Sequence, residues 1–371
     1  MIRSPSRRPE RIHQLLASVT VGDAISDEAF EIRHMLRSGG YESEIFCDRV
    51  HPSLADEVFH FEDYMQISGP RELFILHYSI GTAVSKLSYH IPDGKILIYH
   101  NITPWHYFAG LHHTLPRELF SGRKELAAFA DRTALALGDS EYNRGELAEL
   151  GFTETGVMPI PINFRRFRDV APDPITLKAF SDHRMNILFV GRVIPNKKLE
   201  DVILAYAHYK KFVSHDSRLI FVGEYGSFQR YRALLGQMIA DIDLPDVVFT
   251  DHVTFPQLVA FYTLADVFLC MSEHEGFCVP LLEAMHFDIP VIAYSVGPIP
   301  DTMGGAGVLV REKNYAEIAE MIDLLARDRF VRDRVIEGQR RRLERFTSTP
   351  YEKILLGHVE RAARLLAAEN R

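Results

Sequence analysis

The sequence predicts an α/β protein with two doubly wound parallel-sheet domains that face each other across a cleft. Short β-rich apolar runs alternate with helix-length segments, which is the pattern of parallel sheets covered by helices. The alternation occurs in two series, separated by an irregular, proline-containing stretch at 169–174. Because the chain has 371 residues, of which 47% are hydrophobic, it is long enough for two cores of domain size.

The two series of apolar runs define the predicted domains and strands. An N-terminal domain at 1–170 is predicted to contain strands at 14–20, 43–47, 72–77, 95–100 and 133–138. A C-terminal domain at 171–345 is predicted to contain strands at 185–190, 218–223, 246–250, 266–271, 289–294 and 307–310. The remaining segment, 346–371, is helical in pattern, and we expect it to cross back to the N-terminal domain.

Composition excludes several classes of function. The net charge of -8 argues against a broad nucleic-acid-binding surface. Three cysteines, Cys47, Cys270 and Cys278, lack C-x-x-C spacing, which indicates reduced thiols in a cytoplasmic compartment. No run approaches a length of about 18 consecutive apolar residues, so no transmembrane helix is expected. The basic, proline-interrupted segment 3–11 is interpreted as a mobile tail.

The most informative segment is 272–285, with the sequence SEHEGFCVPLLEAM. Pro280 is predicted at the first helical position, where its missing N–H costs nothing. The backbone amides around Gly276, Phe277 and Cys278 should then lie unpaired at the positive end of a helix, which binds anionic phosphate.

Two carboxylates flank this predicted helix start. Glu283 is predicted in the first helical turn, leaning towards the N-terminus, and Glu275 precedes the helix, so both can face one ligand. The alternative is purely structural. In that interpretation Ser272 and Glu275 form a capping box, and Glu283 is a first-turn acid stabilised by the helix dipole.

A tight turn after the predicted strand 185–190 carries basic side chains. The segment GRVIPNKK at 191–198 places Arg192 and one of two lysines, Lys197 or Lys198, beyond the strand end, where two cations can hold a diphosphate. A solvated basic turn is the alternative. The D-x-D motif at 241–243 has the spacing of a divalent-ion site. It is interpreted as a surface turn between a helix and a strand.

The E-x(7)-E pattern and the basic turn together resemble the signature of retaining glycosyltransferase family 4. The resemblance implies the GT-B fold, with two Rossmann-like domains, and transfer of a sugar from a nucleotide diphosphate sugar with retention of configuration. It implies that Arg192 and Lys197 neutralise the leaving diphosphate, while Glu275 positions the sugar and Glu283 the ribose. It also implies that neither a metal nor a cofactor is required.

Other positions are carried over from the family in the same way. His100 occupies the strand end at which the family has a histidine that contacts the transferred sugar. Gly22 stands where the family has a glycine-rich loop near the donor phosphates. Ser140 and Asn143 resemble the family's S-x-x-N turn, with simple helix capping by Ser140 as the alternative. The remaining predicted donor-binding residues are Gly191, Lys198, Glu224, Val253, Gly276, Phe277 and Cys278.

These inferences favour a retaining, metal-independent glycosyltransferase. We expect GDP-mannose or a UDP-hexose as donor and a glycan or lipid-linked saccharide as acceptor, in bacterial surface polysaccharide synthesis. The alternatives are a sugar-nucleotide epimerase-like enzyme, a phosphorylase and an inactive nucleotide-sugar-binding subunit. A cytoplasmic location is expected, and Arg7, Arg8, Arg11 and the cluster at 340–345 suggest peripheral contact with the inner face of the cell membrane, with a solvated charged face as the alternative.

Overall fold

The structure, a computed structural model, describes residues 9–70 and 72–369. Most of the segment interpreted as a mobile tail, including Arg7 and Arg8, lies outside these residues. The chain divides into two compact units. The first contains the described residues up to Trp105, Thr114–Pro161 and those from Thr349 onward, and the second contains His106–His113 and Ile162–Ser348.

The first unit is built on a seven-stranded sheet. Its strands are β1 (Ile12–Val19), β2 (Ile45–Val50), β3 (Phe59–His60), β4 (Leu73–Tyr78), β5 (Gly94–Tyr99), β6 (Leu135–Gly138) and β7 (Thr155–Val157). They pair in parallel in the order β3-β2-β1-β4-β5-β6-β7. The central strands β4 and β5 are buried along their whole length, as expected for a parallel sheet with both faces covered.

Four α-helices of the first unit follow strands of this sheet. They are α1 (Ala24–Ser38), α2 (Ala83–His90), α3 (Leu115–Ala128) and α4 (Glu141–Glu149). Side chains fix where two of them begin. Asp23 accepts a hydrogen bond from the N–H of Ser26 at 3.0 Å, and Ser140 accepts one from the N–H of Asn143 at 3.2 Å. The capping alternative for Ser140 is therefore confirmed.

The second unit is built on a six-stranded parallel sheet. Its strands are β8 (Met185–Val190), β9 (Ser217–Val222), β10 (Val247–Phe249), β11 (Val267–Cys270), β12 (Val291–Tyr294) and β13 (Val308–Val310). They lie in the order β10-β9-β8-β11-β12-β13, which is the Rossmann order. The strand order therefore reverses between β8 and β11.

Nine α-helices accompany this second sheet within the described residues. They are α5 (Arg165–Arg168), α6 (Pro174–Phe180), α7 (Leu199–Phe212), α8 (Gln229–Asp241), α9 (Phe255–Leu264), α10 (Val279–His286), α11 (Ile299–Met303), α12 (Tyr315–Arg327) and α13 (Arg329–Thr347). Short 3₁₀ helices occupy Pro52–Glu57, Phe61–Gln66, Trp105–Phe108, Ala130–Arg132 and Pro195–Lys197.

The last helix, α14 (Tyr351–Glu369), belongs to the first unit although it follows the second in sequence. Its apolar face, with Leu355, Val359 and Ala362, is buried in the core that covers β1, β4 and β5. The guanidinium of Arg361 donates to the carbonyl of Thr155 on β7 at 3.0 Å. Burial of this apolar face, worth about 1.5–3 kcal/mol for a large side chain, attaches the end of the chain to the first sheet.

The structure confirms the predicted fold class, with two parallel sheets of Rossmann type. Each predicted strand overlaps an observed one. β3 and β7 were not predicted, because they are edge strands of two and three residues and contain no apolar run. Among the described helices, none is long and apolar enough to cross a membrane.

Candidate functional site

The candidate site lies at the reversal of strand order between β8 and β11. These strands are direct neighbours, so the segments that follow them, 191–198 and 271–278, leave the same edge of the sheet. In doubly wound sheets this switch point is where ligands bind. Topology alone therefore brings the basic turn and the glutamate motif together.

Hydrogen bonds hold the two segments against each other. The Asn196 side-chain amide donates to the carbonyl of His274 at 3.0 Å, and the N–H of Glu273 donates to the carbonyl of Asn196 at 2.9 Å. These bonds place Lys197 opposite Glu275, and Lys197 Nζ lies 2.5 Å from Glu275 Oε2. The predicted diphosphate-binding lysine and the first glutamate of the motif thus form an ion pair.

The Lys197–Glu275 pair is largely shielded from water. Glu275 is 6% exposed, and the side chain of Lys197 is 18% exposed. Burial opposes the charged form of Lys197, but the charge of Glu275 prevails and raises the pKa of the lysine above its ordinary value. The other carboxylate oxygen, Glu275 Oε1, is buried and has no hydrogen-bond partner among the described residues. One acceptor of a fixed carboxylate is therefore available to a ligand.

The side chains of Arg192 and Lys198 differ in their partners within the protein. Arg192 is exposed, and its guanidinium has no ion-pair or hydrogen-bond partner in the part of the chain that the structure describes. Lys198 Nζ instead lies 3.2 Å from Glu200 and 3.7 Å from Glu273. The backbone of Lys198 is left-handed, with φ of 51°, a conformation that favours glycine. Of the two lysines, the structure brings Lys197 to Glu275.

Two glycines allow the ends of β8 and β9 to approach closely. Gly191 and Gly223 have φ of 149° and 146°, and a Cβ on Gly223 would lie 2.1 Å from the carbonyl oxygen of Gly191. Beside them, the carbonyl of Glu224 accepts a hydrogen bond from the N–H of Val193 at 2.9 Å, and the Glu224 side chain is exposed. Val253 follows β10 and is half-buried.

The helix of the glutamate motif begins one residue earlier than predicted. α10 starts at Val279, so Pro280 occupies the second helical position and not the first. The N-cap residue is Cys278, whose backbone is left-handed with φ of 72°. Among the described residues, no hydrogen bond uses the backbone N–H of Phe277 or Cys278, which agrees with the prediction that these amides are unpaired. Gly276 lies in the same loop.

This geometry overturns the capping-box alternative. Ser272 lies outside the cap of α10, and its hydroxyl is 3.3 Å from Cys270 Sγ. Glu275 pairs with Lys197 and not with the helix end. Glu283 was predicted in the first turn, but the helix start places it in the second, where the helix dipole contributes little.

Glu283 is bound by residues that sequence reasoning missed. Its Oε1 accepts a hydrogen bond from Arg166 at 3.1 Å, and its Oε2 accepts one from Tyr262 at 2.7 Å. Burial and the negative charge of Glu283 raise the pKa of Tyr262 well above its ordinary value. No described contact joins Glu283 to Glu275, so the structure does not show the two carboxylates sharing one ligand position.

Gly22 lies in the turn between β1 and α1 of the first unit. Its φ is 74°, and a Cβ there would meet nothing within 4 Å. The backbone conformation, and not a lack of space, therefore favours glycine at this position.

His100 belongs to a buried polar network just beyond β5. Its Nδ1 lies 3.0 Å from Asp139 Oδ2, and its Nε2 lies 2.9 Å from Nδ1 of His77. Nε2 of His77 lies 2.9 Å from Gln14 Oε1, while Gln14 Nε2 donates to the carbonyl of Ala29. Because Gln14 Oε1 must accept, His77 donates from Nε2 and accepts at Nδ1. His100 then donates from both ring nitrogens and is an imidazolium.

Charges around His100 support this protonation state. Burial opposes its charged form, but Asp139 and Glu28 raise the pKa of His100 to about 9. Burial raises the pKa of Glu28 to about 8, and burial together with the charge of His100 lowers the pKa of His77 well below its ordinary value. Both ring nitrogens of His100 have protein partners, so a sugar can reach one only if a bond of this network breaks. The predicted sugar contact stays a prediction.

The network predicts a pH-dependent effect of His100→Gln on stability. A pKa raised from 6.5 to about 9 gives stability that is fully present below pH 6.5 and is lost as the pH rises through 9. We expect the variant to be less stable by on the order of 2 kcal/mol at pH 6.5, and the gap to shrink by pH 10. Denaturant unfolding across this range measures it. A gap that stays constant from pH 6.5 to pH 10 would contradict the charged state of His100.

Two other sequence features lie on the surface. Asp241 ends α8, and Asp243 follows it in a left-handed turn; both are exposed, which confirms the surface-turn interpretation. In the basic cluster, Arg340 pairs with Asp288 at 2.6 Å, and Arg342 donates to the carbonyl of Thr302 at 3.0 Å. These arginines serve intramolecular contacts, and contact with a membrane stays a prediction.

Comparison with known proteins agrees with this geometry. Residues 178–342 match the family described as Glycosyl transferases group 1, a range that contains the basic turn and the glutamate motif. A capsular polysaccharide biosynthesis glycosyltransferase, CapM of Staphylococcus aureus, is 28% identical over 161 residues, which cover 42% of this chain and 40% of CapM. A GDP-mannose-dependent alpha-mannosyltransferase of Mycolicibacterium smegmatis is 33% identical over 116 residues, covering 31% of this chain and 27% of that protein. The chain thus spans less than half the length of these relatives.

Among solved structures, the chain is similar to HepE of Anabaena in complex with UDP and glucose. The TM-score is 0.69 at 17% sequence identity, over 94% of this chain and 99% of that one. Similarity at this identity establishes the fold. The two Rossmann-like units are those of the GT-B fold, as the sequence predicted.

Proposed function

We propose that this protein is a retaining, metal-independent glycosyltransferase of family 4. The observation that carries the proposal is the Lys197–Glu275 ion pair at the switch point of the second sheet, with the exposed Arg192 in the same segment as Lys197. A nucleotide diphosphate sugar needs cations for its phosphates and a fixed acceptor for a sugar hydroxyl. This site has both, and the group 1 family match covers it.

The proposed mechanism stabilises charge on the leaving group. As the bond between the anomeric carbon and the phosphate oxygen breaks, the electron pair stays on the diphosphate, and Arg192 and Lys197 stabilise this charge more than that of the bound substrate. A departing phosphate oxygen takes the proton of the acceptor hydroxyl, which attacks from the same face. This front-face path retains the configuration without a nucleophile from the enzyme.

The two glutamates have different proposed roles. Glu275 Oε1, which has no partner among the described residues, accepts a hydrogen bond from a sugar hydroxyl. Glu283 binds the ribose through a carboxylate that Arg166 and Tyr262 already orient, since each carboxylate oxygen can accept more than one hydrogen bond. The role proposed for His100, which is a buried imidazolium of the first unit, is contact with the transferred sugar.

The donor is proposed to be GDP-mannose or a UDP-hexose, and the acceptor a glycan or lipid-linked saccharide in bacterial surface polysaccharide synthesis. The similarity to a GDP-mannose-dependent enzyme and to a structure with UDP and glucose supports these two donors. The similarity to a capsular polysaccharide enzyme supports the acceptor class. We propose a cytoplasmic location, where nucleotide sugars are available.

A donor panel with Arg192→Ala tests this function. We expect selective, slow hydrolysis of one nucleotide sugar that is equal in EDTA and in magnesium, and transfer to an acceptor with retention by NMR. Arg192→Ala should lower kcat/KM about 10- to 100-fold without loss of thermal stability, because the lost bond is to a charged ligand and the side chain has no described protein partner.

Lys178→Ala is the matched control, because Lys178 is an exposed cation on α6, which precedes the amino end of β8. It should leave kcat/KM unchanged. Epimerised donor without transfer would instead indicate the epimerase-like enzyme, and binding without turnover would indicate an inactive nucleotide-sugar-binding subunit. An inverted product or strict magnesium dependence would also contradict the proposal.

A further inference from the structure

Two thiols lie beside the Lys197–Glu275 pair. Sγ of Cys270, Sγ of Cys278 and a carboxylate oxygen of Glu275 all lie within 4.8 Å of one another, and all three residues are buried. Cys270 ends β11 and Cys278 caps α10, so a strand and a helix fix their spacing. A cluster of two thiols and one carboxylate is a ligand set for a metal ion.

We propose that Cys270, Cys278 and Glu275 bind a thiophilic divalent cation of the Zn²⁺ class. With Zn–S near 2.3 Å and Zn–O near 2.1 Å, the ligand atoms of a tetrahedral site lie about 3.6–3.8 Å apart. Ligand atoms within 4.8 Å of one another need to approach by at most about 1 Å to reach this separation. Three protein ligands leave the fourth position to water.

The carboxylate of Glu275 is already oriented as a ligand. Lys197 holds Oε2 at 2.5 Å, while Oε1 is buried and has no partner among the described residues. An outer hydrogen bond of this kind fixes the orientation of a metal-ligating group. The hydroxyl of Ser272, 3.3 Å from Cys270 Sγ, is a second such group at the site.

The buried charge stays balanced when the cation binds. Before binding, the charges of Lys197 and Glu275 offset each other. Binding releases two thiol protons to solvent, so two thiolates and the Glu275 carboxylate then balance the dication and the Lys197 ammonium. Neither state leaves an uncompensated charge in a buried site, which would otherwise be costly.

The backbone of Cys278 also indicates a role for its side chain. Its φ of 72° lies in the left-handed region, which glycine adopts at lower cost than cysteine. Cys278 is 8% exposed and Cys270 is 1% exposed, so Cys278 is the more accessible of the two thiols.

The cation would act as an inhibitor of the proposed glycosyl transfer. It occupies Glu275 Oε1, the oxygen that the proposed function assigns to the donor sugar. This consequence rests on the proposed function, whereas metal binding itself does not. Bound cation and donor should therefore exclude each other.

Cobalt spectroscopy of the full chain tests the site without an activity assay. The protein is reduced, treated with EDTA, desalted and then titrated with Co²⁺. Tetrahedral d–d bands and a sulfur-to-cobalt charge-transfer band should appear and saturate at one equivalent of Co²⁺. Addition of Zn²⁺ should remove both sets of bands. Cys278→Gly should abolish the charge-transfer band and raise the Zn²⁺ dissociation constant at least about 100-fold. Glycine suits the left-handed backbone, so this variant should fold with an unchanged Tm.

Matched variants separate the possible outcomes. Cys270→Ser should behave as Cys278→Gly does, and Cys47→Ser, at a buried thiol of the first unit, should keep the bands. Absence of bands in the wild type, or bands that survive in Cys278→Gly, would overturn the site. If the bands appear but saturating nucleotide sugar does not weaken Co²⁺ binding, the metal site stands and the exclusion of donor is wrong.

Discussion

Replacing Lys197 with methionine is expected to lower the kcat of donor turnover about 100- to 1,000-fold, the usual loss when one preorganised electrostatic contact to a transition state is removed. The lysine is fixed by Glu275 and has a raised pKa, so its ammonium is charged before the substrate arrives. Charge on the diphosphate grows as the glycosidic bond breaks. The loss should therefore fall on kcat more than on KM.

The adjacent lysine provides a matched control for this prediction. Lys198 has the same charge one residue away, but it pairs with Glu200 and Glu273. Lys198→Gly also relieves a left-handed backbone, so we expect kcat within about 3-fold of the wild type and an unchanged fold. Equal losses in the two variants would show that the turn contributes only general positive charge.

A second variant separates catalysis from stability. Lys197→Met leaves Glu275 as a buried carboxylate without its cation, which by itself destabilises the site. The double variant Lys197→Met/Glu275→Gln removes this charge and should recover much of the lost Tm. If turnover recovers together with Tm, Lys197 acts through folding and not through the leaving group.

Sequence reasoning placed the basic turn and the glutamate motif at the same edge of a sheet because two local rules were enough. The strands are continuous apolar runs, and parallel sheets gather the segments that follow their strands at one edge. Lys197 and Glu275 both lie in such segments, which follow neighbouring strands. Topology therefore brings together two segments that lie 78 positions apart, whereas the ion pair itself, and its formation by Lys197 and not Lys198, are seen only in the structure.

The partners of Glu283 and His100 required the three-dimensional structure. Arg166 lies 117 positions from Glu283, in a short helix that carries no motif. His100 ends an apolar run, and neither spacing nor composition indicates that Asp139 and His77 will occupy both ring nitrogens. The side-chain directions at strand ends depend on packing, which one sequence does not specify. For the same reason, the sequence did not predict that the side chains of Cys270 and Cys278 lie close together.

Gly223→Ala is expected to destabilise the second unit strongly. The new Cβ would lie 2.1 Å from the oxygen and 2.7 Å from the carbonyl carbon of Gly191, and backbone atoms cannot rotate away. Its φ of 146° is also strained for an L-residue. Overpacking and strain together should cost about 3–5 kcal/mol. By scanning calorimetry, that corresponds to a fall of about 10 °C in Tm.

Gly226→Ala distinguishes contact from backbone strain. Gly226 also has a positive φ, 50°, but a Cβ there would meet nothing within 4 Å. Only the left-handed penalty of about 1–2 kcal/mol applies, so Tm should fall by a few degrees. Similar falls in the two variants would show that the ends of β8 and β9 can separate. A much larger fall for Gly223→Ala means that the approach of these two strand ends is fixed, and with it the position of Arg192 next to Gly191.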